Sequence, residues 1–313
     1  MPKKQQMFIS VVIPVYNEEE TVAELHRRLH AMFSRLKHDY ELIFVDDGSH
    51  DNSLPLLLSL QKQDKHLKIL SFSRNFGHQI AISAGIDHAS GDAVVLMDGD
   101  LQDPPEVLPE FIRKWREGYD VVYAIRKNRK ENILKRAAYA AFYRILKKIS
   151  YLNIPLDSGD FCIIYRRVAE IIRTLSERNR FIRGLRTWTG FRQTGLEYER
   201  ERRFAGKPKY TVGKLLKLAY DGIFSFSTIP LRIAIYTGMA AALISFAAGL
   251  FILYEKIISD IPIVGWASTM VTLVFLGGII LLTLGIVGEY IGRIHEEVKN
   301  RPLYILREKI GFK

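Results

Sequence analysis

Cysteine is almost missing from this chain. Of 313 residues only Cys162 carries a thiol, so no disulfide can close within it, and a disulfide-stapled scaffold is excluded. A lone cysteine of this kind reads as a small buried hydrophobe. Glycine (22) and proline (11) are modest while 48% of the residues are hydrophobic, which excludes collagen-like and disordered chains. No Gly-x-Gly-x-x-Gly turn and no Walker-type loop occurs, which argues against dinucleotide-dependent redox chemistry and P-loop hydrolysis. Internal repeats and low-complexity segments are also lacking. The start, MPKKQQMFISVVIPVY, lacks the uninterrupted apolar core of a cleavable signal, because its short apolar stretch is broken by Pro14 and runs into Asn17-Glu18-Glu19-Glu20. It reads as a buried strand.

Charge is missing from two long stretches. The chain as a whole holds 45 Lys+Arg against 34 Asp+Glu, with mean hydropathy +0.01, but the average hides the distribution. Leu231 to Tyr254 contains only Arg232, and Trp266 to Val287 contains no charge at all. Each exceeds the roughly 20 residues that cross a bilayer. The YEKIISDIPIVG between them is too short for a domain, so the pair reads as a transmembrane hairpin that returns the chain to the side it left. Arg293, Lys299, Arg301, Arg307, Lys309 and Lys313 follow it, against Lys256 beside Glu255 and Asp260 in the loop. The positive-inside rule then places the N-terminal domain and the C-terminus in the cytoplasm of a multi-pass inner (plasma) membrane protein. Two buried helices of a soluble core fit less well, since Gly, Ala and Thr are spread around every face. Gly277-Gly278, Gly285 and Gly288 suit close helix packing, in the hairpin itself or in a homo-oligomer such as a tetramer.

Residues 1 to about 125 alternate short β-branched runs with amphipathic ones. Phe8–Tyr16, Glu41–Val45, Lys68–Phe72, Ala93–Met97 and Asp120–Ala124 read as strands, and Val22–Leu36 and Pro104–Trp115 as helices, the latter with Asp103 as N-cap and Glu106 closing a capping box. This is the pattern of an α/β domain around a mostly parallel sheet. Ligands of such sheets bind beyond the carboxyl ends of the strands. There the sequence collects Tyr16-Asn17-Glu18, Asp46-Asp47-Gly48-Ser49, Arg74-Asn75, Asp98-Gly99-Asp100-Leu101-Gln102-Asp103 and Arg126. Clustered carboxylates repel one another unless a cation joins them, and oxygen-only donors suit Mg²⁺ or Mn²⁺. Asp98 and Asp100 can leave one turn toward one point, with Gln102 adding a neutral oxygen. A metal held so sparsely completes its shell with phosphate oxygens, so the expected substrate is a nucleotide diphosphate conjugate. Taken alone, an Asp-x-Asp turn is weak and Asp46-Asp47-Gly48-Ser49 is equally an Asx turn.

In this order, VVIPVYNEE, VDDGSHDNS and VLMDGDLQDPPE resemble the donor domain of family 2 glycosyltransferases of GT-A type. The resemblance continues through SFSRNFGHQIAISAGIDHASGD, LDSGDF and RRFAGKPKY, covering about residues 8 to 230. With the hairpin, the chain is similar to polyprenyl-phosphate glycosyltransferases, the bactoprenol glucosyltransferases and dolichyl-phosphate mannose synthase among them. The resemblance implies a GT-A (Rossmann-like) core over 1–130 and an acceptor region over 131–229. It further implies two transmembrane helices within 230–292 (about 231–254 and 266–290) and a basic tail over 293–313. Pro14, Tyr16 and Glu18 would line the nucleotide pocket, Asp47 would contact the base, and Asp98, Asp100 and Gln102 would hold the metal and diphosphate. Arg203, Lys207 and Lys209 would close over the diphosphate, and Arg126 and Arg136 would take the acceptor phosphate. Asp157 matches the position of the catalytic base; a lipid phosphate is already ionised, so it is expected to orient the acceptor rather than remove a proton.

The implied activity is inverting transfer of one hexose, glucose from UDP-glucose, to undecaprenyl or another polyprenyl phosphate at the cytoplasmic membrane face. GDP-mannose or another UDP-sugar is the alternative donor. From Arg113 to Lys148 there are 12 basic residues against three acids, and from Arg166 to Lys214 there are 14 against five. Most of these suit anionic headgroups rather than nucleic acid. Leu134–Ile149 and Val212–Phe226 mix apolar and basic residues at helical spacing and read as interfacial helices. A processive polysaccharide synthase is disfavoured because no Gln-x-x-Arg-Trp motif occurs. A non-catalytic basic membrane-tethered binding module would leave the acidic strand ends idle.

Overall fold

The computed structural model describes residues 7–36, 38–127, 158–199, 227–259 and 265–312. They fall into two units, one formed by the N-terminal region together with residues 301–312, the other by residues 227–300.

The first unit is built on an eight-stranded sheet. Its strands are β1 (Phe8–Val15), β2 (Asp39–Asp46), β3 (Leu67–Phe72), β4 (Ala93–Leu96), β5 (Val121–Lys127), β6 (Ser158–Tyr165), β7 (Gln193–Glu199) and β8 (Leu306–Ile310). Their order across the sheet is β7-β5-β6-β4-β1-β2-β3-β8. β1 to β4 run parallel, β6 runs antiparallel to both β4 and β5, and β7 runs parallel to β5. The central strands β1 and β2 are buried along almost their whole length, as expected when helices cover both faces of a parallel sheet.

The covering helices are α1 (Val22–Leu36), α2 (Ser53–Gln63), α3 (His78–His88), α4 (Leu108–Arg116), α5 (Arg166–Thr174) and α6 (Ile182–Trp188). α1 shows why they dock. Val22, Leu25, Leu29, Met32 and Phe33 recur at helical spacing and are all buried. Each such side chain gains about 1.5–3 kcal/mol on burial, against the few tenths per residue that separate most helix propensities. Docking to the sheet therefore holds the helix.

Two sequence expectations change here. Pro104 and Pro105 begin a short 3₁₀ turn (Pro105–Val107) before α4, and no side chain caps it. Asp103 is buried and instead accepts a hydrogen bond from the Tyr198 hydroxyl, while Glu106 pairs with Arg28. The turn lacks two of the amide hydrogens that a cap would satisfy, so the carboxyl is free to bond across to β7.

The second change is at the C-terminus. In the second unit α7 (Ile229–Ser259) and α8 (Trp266–Val298) are long and apolar enough to cross a membrane, and their most apolar 18-residue stretches contain no buried residue. The helix passes the expected boundary at 292, extended by an Arg293–Glu289 pair at i,i+4 spacing. Within the expected basic tail the chain forms β8, which joins the sheet antiparallel to β3. Leu306 and Ile310 are half-buried while Arg307, Glu308 and Lys309 stay exposed, a charged edge that resists further strand pairing. Gly277, Gly278, Gly285 and Gly288 meet nothing within 4 Å where a Cβ would stand, so they do not form the contact between α7 and α8.

Candidate active site

Because β1 to β5 and β7 share one direction and β6 and β8 oppose them, one sheet edge gathers six carboxyl ends and the amino ends of β6 and β8. The loops on that edge interlock through backbone amides. Asn17, with φ +51, accepts from the His50 amide (2.8 Å) and donates its own amide to Ser49 Oγ (3.0 Å). The Glu18 amide donates to Ser53 Oγ (2.8 Å), and Thr21 Oγ1 donates to the Gly99 carbonyl (2.8 Å). The segment after β1 is thereby pinned to the segments after β2 and β4.

The paired acids after β2 divide their work. Asp46 accepts from the Ser49 amide (3.1 Å) and the Ser71 hydroxyl (3.2 Å), an internal role. Asp47 reaches across to the loop after β3, where the Phe76 amide donates to Oδ1 (2.6 Å) and the Gly77 amide to Oδ2 (3.0 Å). Burial pushes the Asp47 carboxyl up, and these two amides pull against it. Gly48 sits between them with φ +70, and a Cβ there would stand 2.7 Å from the Arg74 backbone carbon. Only glycine fits this close approach.

The turn after β4 carries Asp98 and Asp100. Leu101 is buried with φ +58, a left-handed conformation that costs about 1–2 kcal/mol for a residue bearing a Cβ. The reversal lets the Gln102 amide return to Asp100 Oδ1 (3.1 Å). Among the described residues Asp98 Oδ1 is buried and accepts no hydrogen bond, and His78 Nε2 lies 3.4 Å from it. Burial pushes the Asp98 carboxyl up against the pull of His78, and Asp103, Asp160 and Asp100 add to the rise. A buried carboxylate oxygen without a hydrogen, among other acids, is chemically suited to a divalent cation. Among the described residues no three His, Cys, Asp or Glu side chains converge as a ready-made cage.

A second network was not anticipated from the sequence. Asp160, at the start of β6, receives Arg183 Nε at Oδ1 (2.7 Å) and both Arg183 Nη2 and Gln79 Nε2 at Oδ2 (3.1 Å each). Gln79 Oε1 in turn accepts the Ile182 amide (2.9 Å), tying α3 to α6. His78 Nε2 lies 3.6 Å from Asp160 Oδ2, so the imidazole stands between Asp98 and Asp160. Burial lowers its basicity, but the two carboxylates outweigh that and hold it protonated, at about 9. Asp160 is likewise penalised by burial, yet Arg183 and His78 hold it well below the usual carboxylate range. The available signals were His78, past the loop that follows the third strand, and Asp160 inside Leu156-Asp157-Ser158-Gly159-Asp160-Phe161. What concealed them was the antiparallel direction of β6.

Of the expected residues, the structure brings the ends of β1, β2 and β4 to one edge, carrying Tyr16, Glu18, Asp47, Asp98, Asp100 and Gln102. Pro14 is buried within β1, paired with Val45. Arg126 lies on β5, opposite Tyr198 of β7. Arg136, Asp157, Arg203, Lys207, Lys209 and the expected interfacial helices Leu134–Ile149 and Val212–Phe226 lie outside the described residues.

Comparison with known proteins agrees with this geometry. The glycosyl transferase family 2 model matches residues 10–172, and the GtrB C-terminal hairpin model matches residues 229–294. The uncharacterized glycosyltransferase YkcC of Bacillus subtilis is 48% identical over 303 residues, covering 96% of this chain and 94% of its own. The bactoprenol glucosyl transferase of Shigella phage SfII is 43% identical, covering 96% and 98%. A prophage bactoprenol glucosyl transferase homolog of Escherichia coli K12 is 41% identical, covering 96% and 99%. A mostly parallel GT-A-like sheet with an acid-bearing carboxyl edge, followed by two apolar helices, thus accompanies a match over nearly the whole length: the chain belongs to glycosyl transferase family 2.

Proposed function

We propose that this protein transfers one glucose unit from UDP-glucose to a polyprenyl phosphate, undecaprenyl phosphate in bacteria, with inversion at the anomeric carbon. The observation that carries this reading is the near-full-length similarity, hairpin included, to proteins named bactoprenol glucosyl transferase. The orphan Asp98 oxygen on the sheet edge supports a role for Mg²⁺ or Mn²⁺, held by Asp98 and Asp100 with Gln102 beside them. When bound, the ion neutralises negative charge on the departing nucleoside diphosphate.

The chain's own residues would do the rest. Asp47, fixed by the loop amides, offers its remaining lone pairs to the base, with Pro14, Tyr16 and Glu18 shaping the pocket wall. Arg126 and Arg136 take the acceptor phosphate, for which a guanidinium is suited because it stays charged and binds two oxygens at once. Arg203, Lys207 and Lys209 add charge over the diphosphate, where preorganised cations lower the barrier most. Asp157 orients the acceptor oxygen for in-line attack. The hairpin would anchor the chain in the membrane that carries the lipid phosphate.

The test is a transfer assay with the purified full-length chain, Mg²⁺ or Mn²⁺, undecaprenyl phosphate and a panel including UDP-glucose and GDP-mannose. A glucosyl lipid formed from UDP-glucose is expected. Product from GDP-mannose alone would move the donor assignment, and no lipid-linked product from any donor would overturn the reading.

A further inference from the structure

β8 reaches the donor edge from the far end of the chain. Its register against β3 slips between Ser71 and Phe72, so that Ser71 faces Glu308, Phe72 faces Leu306, and Arg307 is the extra residue of a bulge. Bulges beside active sites kink a strand and re-aim its side chains. Past this one, the Ser73 amide donates to the Ile305 carbonyl (3.0 Å), and Arg307 Nη2 donates to the Ser73 carbonyl (3.4 Å). The Tyr304 ring then lies nearly parallel to Phe72, with centroids 5.2 Å apart and planes at 14°. Its hydroxyl donates to Asp87 Oδ2 (3.0 Å) in the last turn of α3.

The contacts continue to the site. Phe72 meets Phe76 edge-on (5.5 Å, 88°), the Arg74 guanidinium lies 4.1 Å over the Phe76 ring, and the Phe76 amide is the donor to Asp47 Oδ1. Tyr304, Phe72 and Phe76 form a row of rings from the C-terminal segment to the carboxylate. Tyr304 also touches both flanks of the loop of residues 73–77, β3 on one side and α3 on the other, and α3 begins with His78 and Gln79.

We propose that the segment from Tyr304 to Arg307, beside the bulge, is a working part of the donor site, with Tyr304 as the positioning residue that holds the 73–77 loop against Asp47. The proposal rests on the reading that this edge binds the nucleotide sugar. It makes this stretch beyond the two apolar helices a determinant of donor affinity, so that losing the Tyr304 contact with Phe72 weakens nucleotide binding without touching acceptor groups.

The experiment uses the full-length protein in detergent, with UDP binding measured by calorimetry and steady-state kinetics run separately in UDP-glucose and undecaprenyl phosphate. An aromatic pair contributes enough for Tyr304→Ala to raise the UDP Kd and the UDP-glucose KM about tenfold. The polyprenyl phosphate KM and kcat should change little. Tyr304→Phe keeps the ring stack, loses only the bond to Asp87, and should recover most of the donor affinity. Phe312→Ala, at the opposite end of β8 where its ring lies against His88 and Lys309, loosens the strand away from the loop and should lower the melting temperature with the donor KM unchanged. An unchanged donor KM in Tyr304→Ala overturns the proposal, as does an equal rise in Phe312→Ala, which would mean general loosening. A parent chain that binds no UDP overturns it together with the reading beneath it, and is distinguishable on that ground.

Discussion

Asp160→Asn is the sharpest test of the network that flanks Asp98. The substitution keeps the side-chain shape but removes a buried charge that receives two hydrogen bonds from Arg183 and one from Gln79. Breaking a buried ion pair costs about 3–5 kcal/mol, chiefly by leaving the partner charge uncompensated. The Arg183 side chain is 22% exposed and can recover part of its hydration, which places the expected loss near about 2–3 kcal/mol. For a chain of this size that corresponds to a fall in melting temperature of roughly 4–10 °C. The carboxyl is depressed in the folded state, so its stabilisation is fully present above the unfolded value of about 3.9 and is lost as pH falls through the lower folded value. The gap between parent and variant should therefore be widest between about pH 5 and 6, narrow below about pH 4, and shrink again as pH rises toward 9, where the share of His78 protonation that Asp160 supports is lost. Calorimetry of the full-length protein in detergent across that range measures it. A double-mutant cycle with Arg183→Gln should return a coupling of about 1 kcal/mol or more. A fall of less than about 1 °C, or purely additive single effects, would refute the assignment of Asp160 as the charge that organises His78, Gln79 and Arg183.

Three further outcomes follow from the same geometry. Asp100→Ala should abolish divalent-cation-dependent transfer while membrane insertion is retained, as read by product formation and by membrane fractionation; unchanged turnover would remove Asp100 from the cation site. Gly48→Ala must place a Cβ into the Arg74 backbone at positive φ, so it should destabilise the chain by about 2 kcal/mol and weaken nucleotide binding, measured by melting and UDP titration. Arg126→Ala should raise the polyprenyl phosphate KM at least about tenfold, the worth of one charge-assisted contact, and a change confined to UDP-glucose affinity would contradict its acceptor role.

Much of the donor half was readable along the chain. α1 begins and ends where its apolar spacing says, and β3 and β4 fall within a residue of the expected runs, because burial on both sheet faces requires unbroken β-branched sequence. The strands that pair out of order were not readable. β6 runs against its neighbours, β7 pairs with β5 across the segment between them, and β8 arrives from the far side of two apolar helices. A strand's own residues record which faces are buried but not which neighbour it bonds. Asp103 shows the same limit at one side chain: its local setting reads as a helix cap, and its actual partner is Tyr198, 95 residues away.

The sequence by itself determined where acids meet strand ends and where charge disappears for the length of a bilayer, since both are written in consecutive residues and in the cost of moving charge out of water. Only the tertiary structure decided what each acid does. Asp46 is taken up by Ser49 and Ser71 and Asp160 by Arg183, Asp47 is held by the loop after β3 with lone pairs to spare, and Asp98 keeps a buried oxygen that accepts no hydrogen bond among the described residues. It also turned a basic C-terminal tail into an edge strand. The physical reason is the same in each case: a carboxylate's role and a strand's place are set by hydrogen-bond partners that folding brings together from remote parts of the chain.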